Sequence, residues 1–121
     1  MLREREYKMV EMNMVEAINL ALKQEMKRDK KVVIIGEDVG EDGGVFRVTD
    51  GLAKLYGNDR VMDSPLAESG IVGTSIGMAV AGLKPVCEIQ FEGFIFPAID
   101  QLVNHASRIR NRSRGRYTSS I

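Results

Sequence analysis

The run Lys31-Val-Val-Ile-Ile-Gly36 constrains this chain more than any other segment. Four branched apolar residues follow one another with no polar alternation, so neither face of the segment suits water. A short run of this kind, bounded by charge before and glycine after, predicts a strand buried on both faces, as in parallel sheets. Parallel strands need long crossovers, usually helical. With 121 residues there is room for one domain and one core.

The flanking segments supply those crossovers. Asn13 predicts a helix cap, with Glu16 three residues on completing a capping box. Val15, Ile18, Leu22 and Met26 then keep helical spacing, and Lys23, Gln24, Lys27 and Arg28 fall on the other face. Residues 1–12 are charged and Met-rich without a clear period, which predicts a loose arm or one ordered only by a partner. After the first strand, Glu37-Asp-Val-Gly-Glu-Asp-Gly-Gly44 reads as a turn-rich acidic loop. It lacks the Gly-Lys-Ser/Thr ending of a phosphate loop, and its spacing does not match a calcium loop. Its expected place is the carboxyl edge of a strand, where sites gather in open α/β sheets.

Thr49 is expected to cap a short helix over 50–56, ended by Gly57, and Arg60-Val-Met-Asp63 to form a second strand. A helix from Glu68 through Ala81 follows, punctuated by Gly70, Gly73 and Gly77. Each glycine weakens a helix by about 1 kcal/mol, so three of them point to close approach of another backbone or a ligand. Gly82 closes that helix, and Pro85 through Phe91 predicts the third strand. Pro97 is expected to start a last helix running to about Arg112, with Ile99, Leu102, Val103, Ala106 and Ile109 inward. Tyr117–Ile121 has strand propensity. The expected fold is α/β: a parallel sheet with helices on both faces.

Charge and rare residues narrow the function. Seventeen basic and 17 acidic side chains cancel, so there is no general basic field for nucleic acid. Arg108, Arg110, Arg112, Arg114 and Arg116 alternate near the end, read as a solvated or subunit-facing helix end or as a phosphate-binding tail. No aromatic residues interleave with them to stack on bases. Cys87 is the single cysteine, read as a small buried strand residue, and His105 is the single histidine, read as structural. One histidine cannot build a multi-histidine metal site, and no metal ligands are assigned. No signal peptide or membrane-spanning run is expected, and cytoplasm is the default.

The chemistry concentrates in Asp63-Ser-Pro-Leu-Ala-Glu68-Ser-Gly70-Ile-Val-Gly73. Glu68 stands among small and apolar residues. If buried there, its pKa should rise, and it can hold or give a proton near neutral pH. The plainer alternative is a glutamate in a first helical turn, complementing the helix dipole. Phe91, Phe94 and Phe96 surround a glycine and precede a proline, either as ordinary core or as a platform facing a ring-shaped ligand. Glu88 needs a partner if buried.

Taken together, Gly-Glu-Asp-Val-Gly (36–40), Gly-Gly-Val-Phe-Arg-Val-Thr (43–49), Ser-Pro-Leu-Ala-Glu-Ser-Gly-Ile-Val-Gly (64–73), Glu-Ile-Gln-Phe (88–91) and Phe-Pro-Ala-Ile-Asp-Gln (96–101) resemble one family. It is the beta subunit of the thiamine-diphosphate-dependent decarboxylase component of 2-oxoacid dehydrogenase complexes, pyruvate or branched-chain type. The resemblance runs from about Met14 to Tyr117. It implies a transketolase-like pyrimidine-binding domain over 13–121, truncated at its C-terminus, behind an arm at 1–12. It implies that Glu68 hydrogen-bonds the pyrimidine ring nitrogen of thiamine diphosphate and, protonated, favours the imino tautomer that activates the cofactor. Phe94 matches the aromatic position stacked on that ring, Leu66 a residue bordering it, and Gln90 lies near the same strand end.

In that family the alpha subunit brings the diphosphate and magnesium through a Gly-Asp-Gly motif, which is lacking here. The implied partners are that alpha subunit, a second beta subunit, whose contact the three helix glycines would serve, and the lipoyl acyltransferase core. The implied activity is oxidative decarboxylation of a 2-oxoacid with acyl transfer to lipoyl. Family members continue into a second domain, so this chain reads as an N-terminal fragment. It is expected to be inactive alone; the alternative is an incompetent truncated subunit serving only folding or subunit interaction.

Overall fold

The structure, a computed structural model, describes residues 10–121. The expected N-terminal arm falls outside them up to residue 9. The first helix, α1, runs Met14–Arg28 and is capped as its sequence dictates. The Asn13 side chain accepts from the Glu16 N–H at 2.9 Å, and the Glu16 carboxylate accepts from the Asn13 N–H at 2.9 Å. Two orphan amides of the first turn are thereby satisfied reciprocally.

Strand β1, Val32–Gly36, is buried at every residue. It is the centre of a parallel sheet with β2 (Val61–Asp63) on one side and β3 (Lys84–Cys87) on the other. Ile34 registers with Val61 and with Val86. Alternate residues of β1 serve the two faces. Val32 and Ile34 join Met26, Val39, Leu52 and Val61 beneath α1 and α2, the short helix Leu52–Tyr56. On the other side α3, Glu68–Val80, packs on β3, and a second cluster gathers Val72, Ile76 and Ala98. Each fully buried Val, Ile or Leu contributes about 1.5–3 kcal/mol. The expected parallel α/β architecture is therefore present.

Several local expectations are corrected. β3 stops at Cys87 rather than Phe91, because β1 ends at Gly36 and leaves little ladder beyond the Glu88 N–H, which donates to the Ile35 carbonyl at 2.9 Å. Pro85 lies inside this strand. Lys84 and Glu88 both donate toward β1, so the position without an N–H faces the free edge of the sheet, where proline is tolerated. Thr49 does not cap a helix. Its hydroxyl donates to the Val39 carbonyl at 2.7 Å in the core, and α2 begins after Gly51, whose φ is +73°.

The long C-terminal helix is broken into three. A 3-10 stretch covers Glu92–Ala98 with Pro97 inside it, a π-helical stretch covers Gln101–Ala106, and α4 covers only Ile109–Arg112. The Ser107 N–H reaches five residues back to the Leu102 carbonyl, at 3.0 Å. The widened turn keeps Leu102, Ala106 and Ile109 on the second cluster, whereas Ile99 and Val103, expected inward, face solvent. No strand forms over Tyr117–Ile121. His105 is half exposed, 3.8 Å from Asp100. Of the three glycines in α3, Gly73 approaches the Gln101 side chain, but a Cβ at Gly77 would meet open space.

One side chain ties the first half together. The Arg60 guanidinium donates to the carbonyls of Met26 (2.9 Å), Asp29 (3.0 Å) and Val32 (2.7 Å), capping the end of α1 and the start of β1. It also lies 5.1 Å over the Tyr56 ring, whose hydroxyl donates to the Lys23 carbonyl. Replacing it leaves several half-buried carbonyls without their donor. Arg60→Met is expected to lower stability by about 2–3 kcal/mol, read as a lower urea midpoint at unchanged slope. A midpoint equal to the parent's would show that water replaces the guanidinium without loss.

Candidate functional site at the carboxyl edge of the sheet

Where β1 and β3 end, their chains emit carboxylates side by side. Glu37 follows the last residue of β1, and Glu88 follows the last residue of β3. The two ends are packed so closely that a Cβ on Gly36 would lie 2.9 Å from the Glu88 Cβ and 2.8 Å from Val39. Only glycine fits there. Asp63, ending β2, accepts from the Gly40 N–H at 2.6 Å and closes the acidic loop over this edge. The loop is shaped by Gly43 and Gly44, with φ of +73° and +79°, and a Cβ on Gly43 would fall 2.6 Å from the Asp50 Cα. From α1, the Asn19 amide holds the loop's far side by donating to the carbonyls of Val48 and Asp50.

Glu68 arrives from the third direction. It is the first residue of α3, only 8% exposed, and none of the described residues donates a hydrogen bond to its carboxylate. Both readings of the sequence therefore describe its position: it stands in a first helical turn, where the dipole favours an acid, and it is buried. Its charge reaches Glu37. Burial raises the pKa of Glu37, and the nearby carboxylates of Glu68 and Asp38 raise it further. Burial likewise raises Glu88, with Glu37 and Asp38 adding to it. The Glu88 Oε2 is buried without a hydrogen-bond partner, so the expected partner is not among the described residues.

The other expected site residues are placed differently from one another. Gln90 leaves β3 toward the acidic loop, and its amide lies 3.4 Å from the Asp38 carboxylate. Phe94 stands on the 3-10 stretch that packs against α3, with 42% of its surface open. Leu66 sits in the loop before α3 and is 76% exposed. The phenylalanines are not core. Phe46 meets Phe91 edge to face at 5.4 Å, and Phe91 meets Phe94 in the same way. Sequence reasoning did not single out Glu37, Asp38 or Phe46. The available signal was Glu37 directly after the glycine that ends a doubly buried strand. No group of side chains among the described residues is arranged to hold a metal ion. No described helix is long and apolar enough to cross a membrane.

The carboxyl edge of this parallel sheet thus carries buried carboxylates beside an exposed aromatic ladder. The chain belongs to the transketolase pyrimidine binding domain family, whose pattern it matches over residues 10–121. It is 60% identical over 105 residues to the pyruvate dehydrogenase E1 component subunit beta of Acholeplasma laidlawii, covering 87% of this chain and 32% of that protein. The subunit of the same name from Staphylococcus epidermidis is 57% identical over 107 residues, 88% of this chain and 33% of its own length. That from Mycoplasma genitalium is 51% identical over 112 residues, 93% and 34%. The chain thus spans about a third of the length of these relatives.

The raised glutamates make stability depend on pH with a definite sign. The folded state keeps protons on Glu37 and Glu88 at pH values where the unfolded chain, near the ordinary 4.5, has lost them. Stability therefore falls as pH rises through the window above 4.5. Asp29, lowered by its hydrogen bond with Lys84 and then by the Lys31 N–H, acts oppositely. It contributes stability above its ordinary 3.8 that is lost as pH falls through its lowered value. Thermal melts are expected to show Tm falling as pH rises from 4.5, with the slope reduced in Glu88→Gln. Parallel profiles for parent and variant would remove Glu88 as a source of the dependence.

Proposed function

We propose that this chain supplies the pyrimidine side of a thiamine diphosphate site in the beta subunit of a 2-oxoacid dehydrogenase, of pyruvate type by its relatives. The observation that carries the reading is the Glu68 carboxylate. It is buried at the carboxyl edge of the sheet with no donor from the described residues, as a carboxyl reserved for a ring nitrogen requires. The donor set fits the group. Carboxylates that favour protonation complement a nitrogen heterocycle, and the buried, unpartnered Glu88 Oε2 lies on the same edge. The same acids would repel a diphosphate, which agrees with an alpha subunit bringing that end of the cofactor and its magnesium.

Within this reading each side chain has a separate task. Glu68 hydrogen-bonds the pyrimidine ring nitrogen. Phe94 offers its open face to the ring, a stack worth about 0.5–1.5 kcal/mol beyond buried area. Leu66, exposed before α3, borders the ring and excludes water once covered. Gln90, from the end of β3, completes the polar rim. Bound there, thiamine diphosphate supplies the nucleophilic carbon that cleaves a 2-oxoacid. The proposed assembly, in the cytoplasm, joins the alpha subunit, a second beta subunit and a lipoyl acyltransferase core that would take the acyl group. Residues 13–121 form the pyrimidine-side domain, and the chain alone is proposed to be without turnover because it brings only this part of the site.

The test uses a complete beta subunit bearing this sequence, assembled with an alpha subunit. Oxidation of pyruvate is followed with an artificial electron acceptor. Glu68→Ala and Glu68→Gln are expected to lose about 10²–10⁴ in rate while melting like the parent. Normal turnover by Glu68→Ala would dismiss the assignment.

A further inference from the structure

We infer that Phe91 is a positioning residue that fixes the ring of Phe94, and that Phe46 anchors Phe91 in turn. The inference rests on the reading of Phe94 as the stacking residue. Its geometry comes from the 3-10 stretch itself. With three residues per turn, side chains at i and i+3 lie one above the other. Phe91 is the residue capping this stretch, and the Phe94 N–H donates to its carbonyl at 2.9 Å. The two rings are thus placed together by one backbone turn, 5.4 Å between centroids at an interplanar angle of 72°. At Gly93, between them, a Cβ would meet nothing within 4 Å, so no neighbouring group crowds this turn from that side.

A lone phenylalanine on an exposed turn would rotate freely about χ1. Here the second face-edge pair stops that. Phe46 meets Phe91 at the same 5.4 Å and 72°, from the loop that follows β1. That loop is itself held by the Asn19 amide, by the Gly40–Asp63 bond and by Arg47, which reaches the Asp42 carbonyl from a backbone at φ +61°. Gln90 and Asp38 join the same two segments one step nearer the sheet. The support therefore runs from α1 through the acidic loop to Phe46, Phe91 and Phe94. All three rings keep an open surface, so they do not serve as core.

The 121-residue chain, labelled with carbon-13 in its phenylalanine rings, tests this by nuclear magnetic resonance, with thiamine as the titrant. In Phe91→Leu the Phe94 ring signals are expected to collapse toward motionally averaged positions, and in Phe91→Tyr to stay where the parent has them. Phe46→Leu is expected to give a partial loss. Thiamine binding is expected to weaken about two- to tenfold in Phe91→Leu and to be restored in Phe91→Tyr. Unchanged Phe94 signals in Phe91→Leu would overturn the inference, whatever the titration shows. Loss of the Phe94 order together with thiamine binding indifferent to Phe94→Leu would uphold the positioning and instead refute Phe94 as the stacking residue.

Discussion

The two-sided burial of β1 is the constraint on which the rest of this structure depends. A strand without a wet face needs a helical layer above and below and a hydrogen-bonded neighbour on each edge. The chain supplies α1 and α2 on one side, α3 and the C-terminal segments on the other, and β2 and β3 as flanks. Once β1 is enclosed, its direction fixes where the polypeptide emerges. Parallel neighbours emerge at the same edge, and so Glu37, Asp63 and Glu88 are delivered together.

That convergence carries an energetic cost. Glu37 and Glu88 are poorly solvated at this edge, neighbouring carboxylates raise their proton affinity further, and one Glu88 oxygen has no partner among the described residues. Four carboxyl groups with no cation among their hydrogen-bond partners in the described residues would be a poor choice for stability alone. Under the proposed function the arrangement is a place for a nitrogen-bearing ring, with Glu68 entering at the positive end of α3. Stability is secured elsewhere, chiefly in the two apolar clusters and in Arg60, which joins the end of α1 to the start of β1 far from that edge.

What could be read in advance followed from local physics. The Asn13–Glu16 capping box is complete within four residues, and the glycine stops after α2 and α3 need only a positive φ. The doubly buried strand declared itself by lacking alternation. The misreadings all involve competition between segments. Thr49 has the chemistry of a cap, but the Val39 carbonyl in the core claimed its hydroxyl. The C-terminal helix has a helical period, but Pro97 and the apolar cluster pulled it into 3-10 and π turns, turning Ile99 and Val103 outward.

The amino-acid order alone determined the class of fold and the candidacy of Glu68, because hydrophobic period, caps and a glutamate among small residues are properties of neighbours in sequence. Only the folded chain decided which acids share an edge and which rings touch. Glu37 meets the influence of Glu68 across 31 positions, and Phe46 meets Phe91 across 45. Such pairings are set by strand register and loop closure, and no local pattern encodes them.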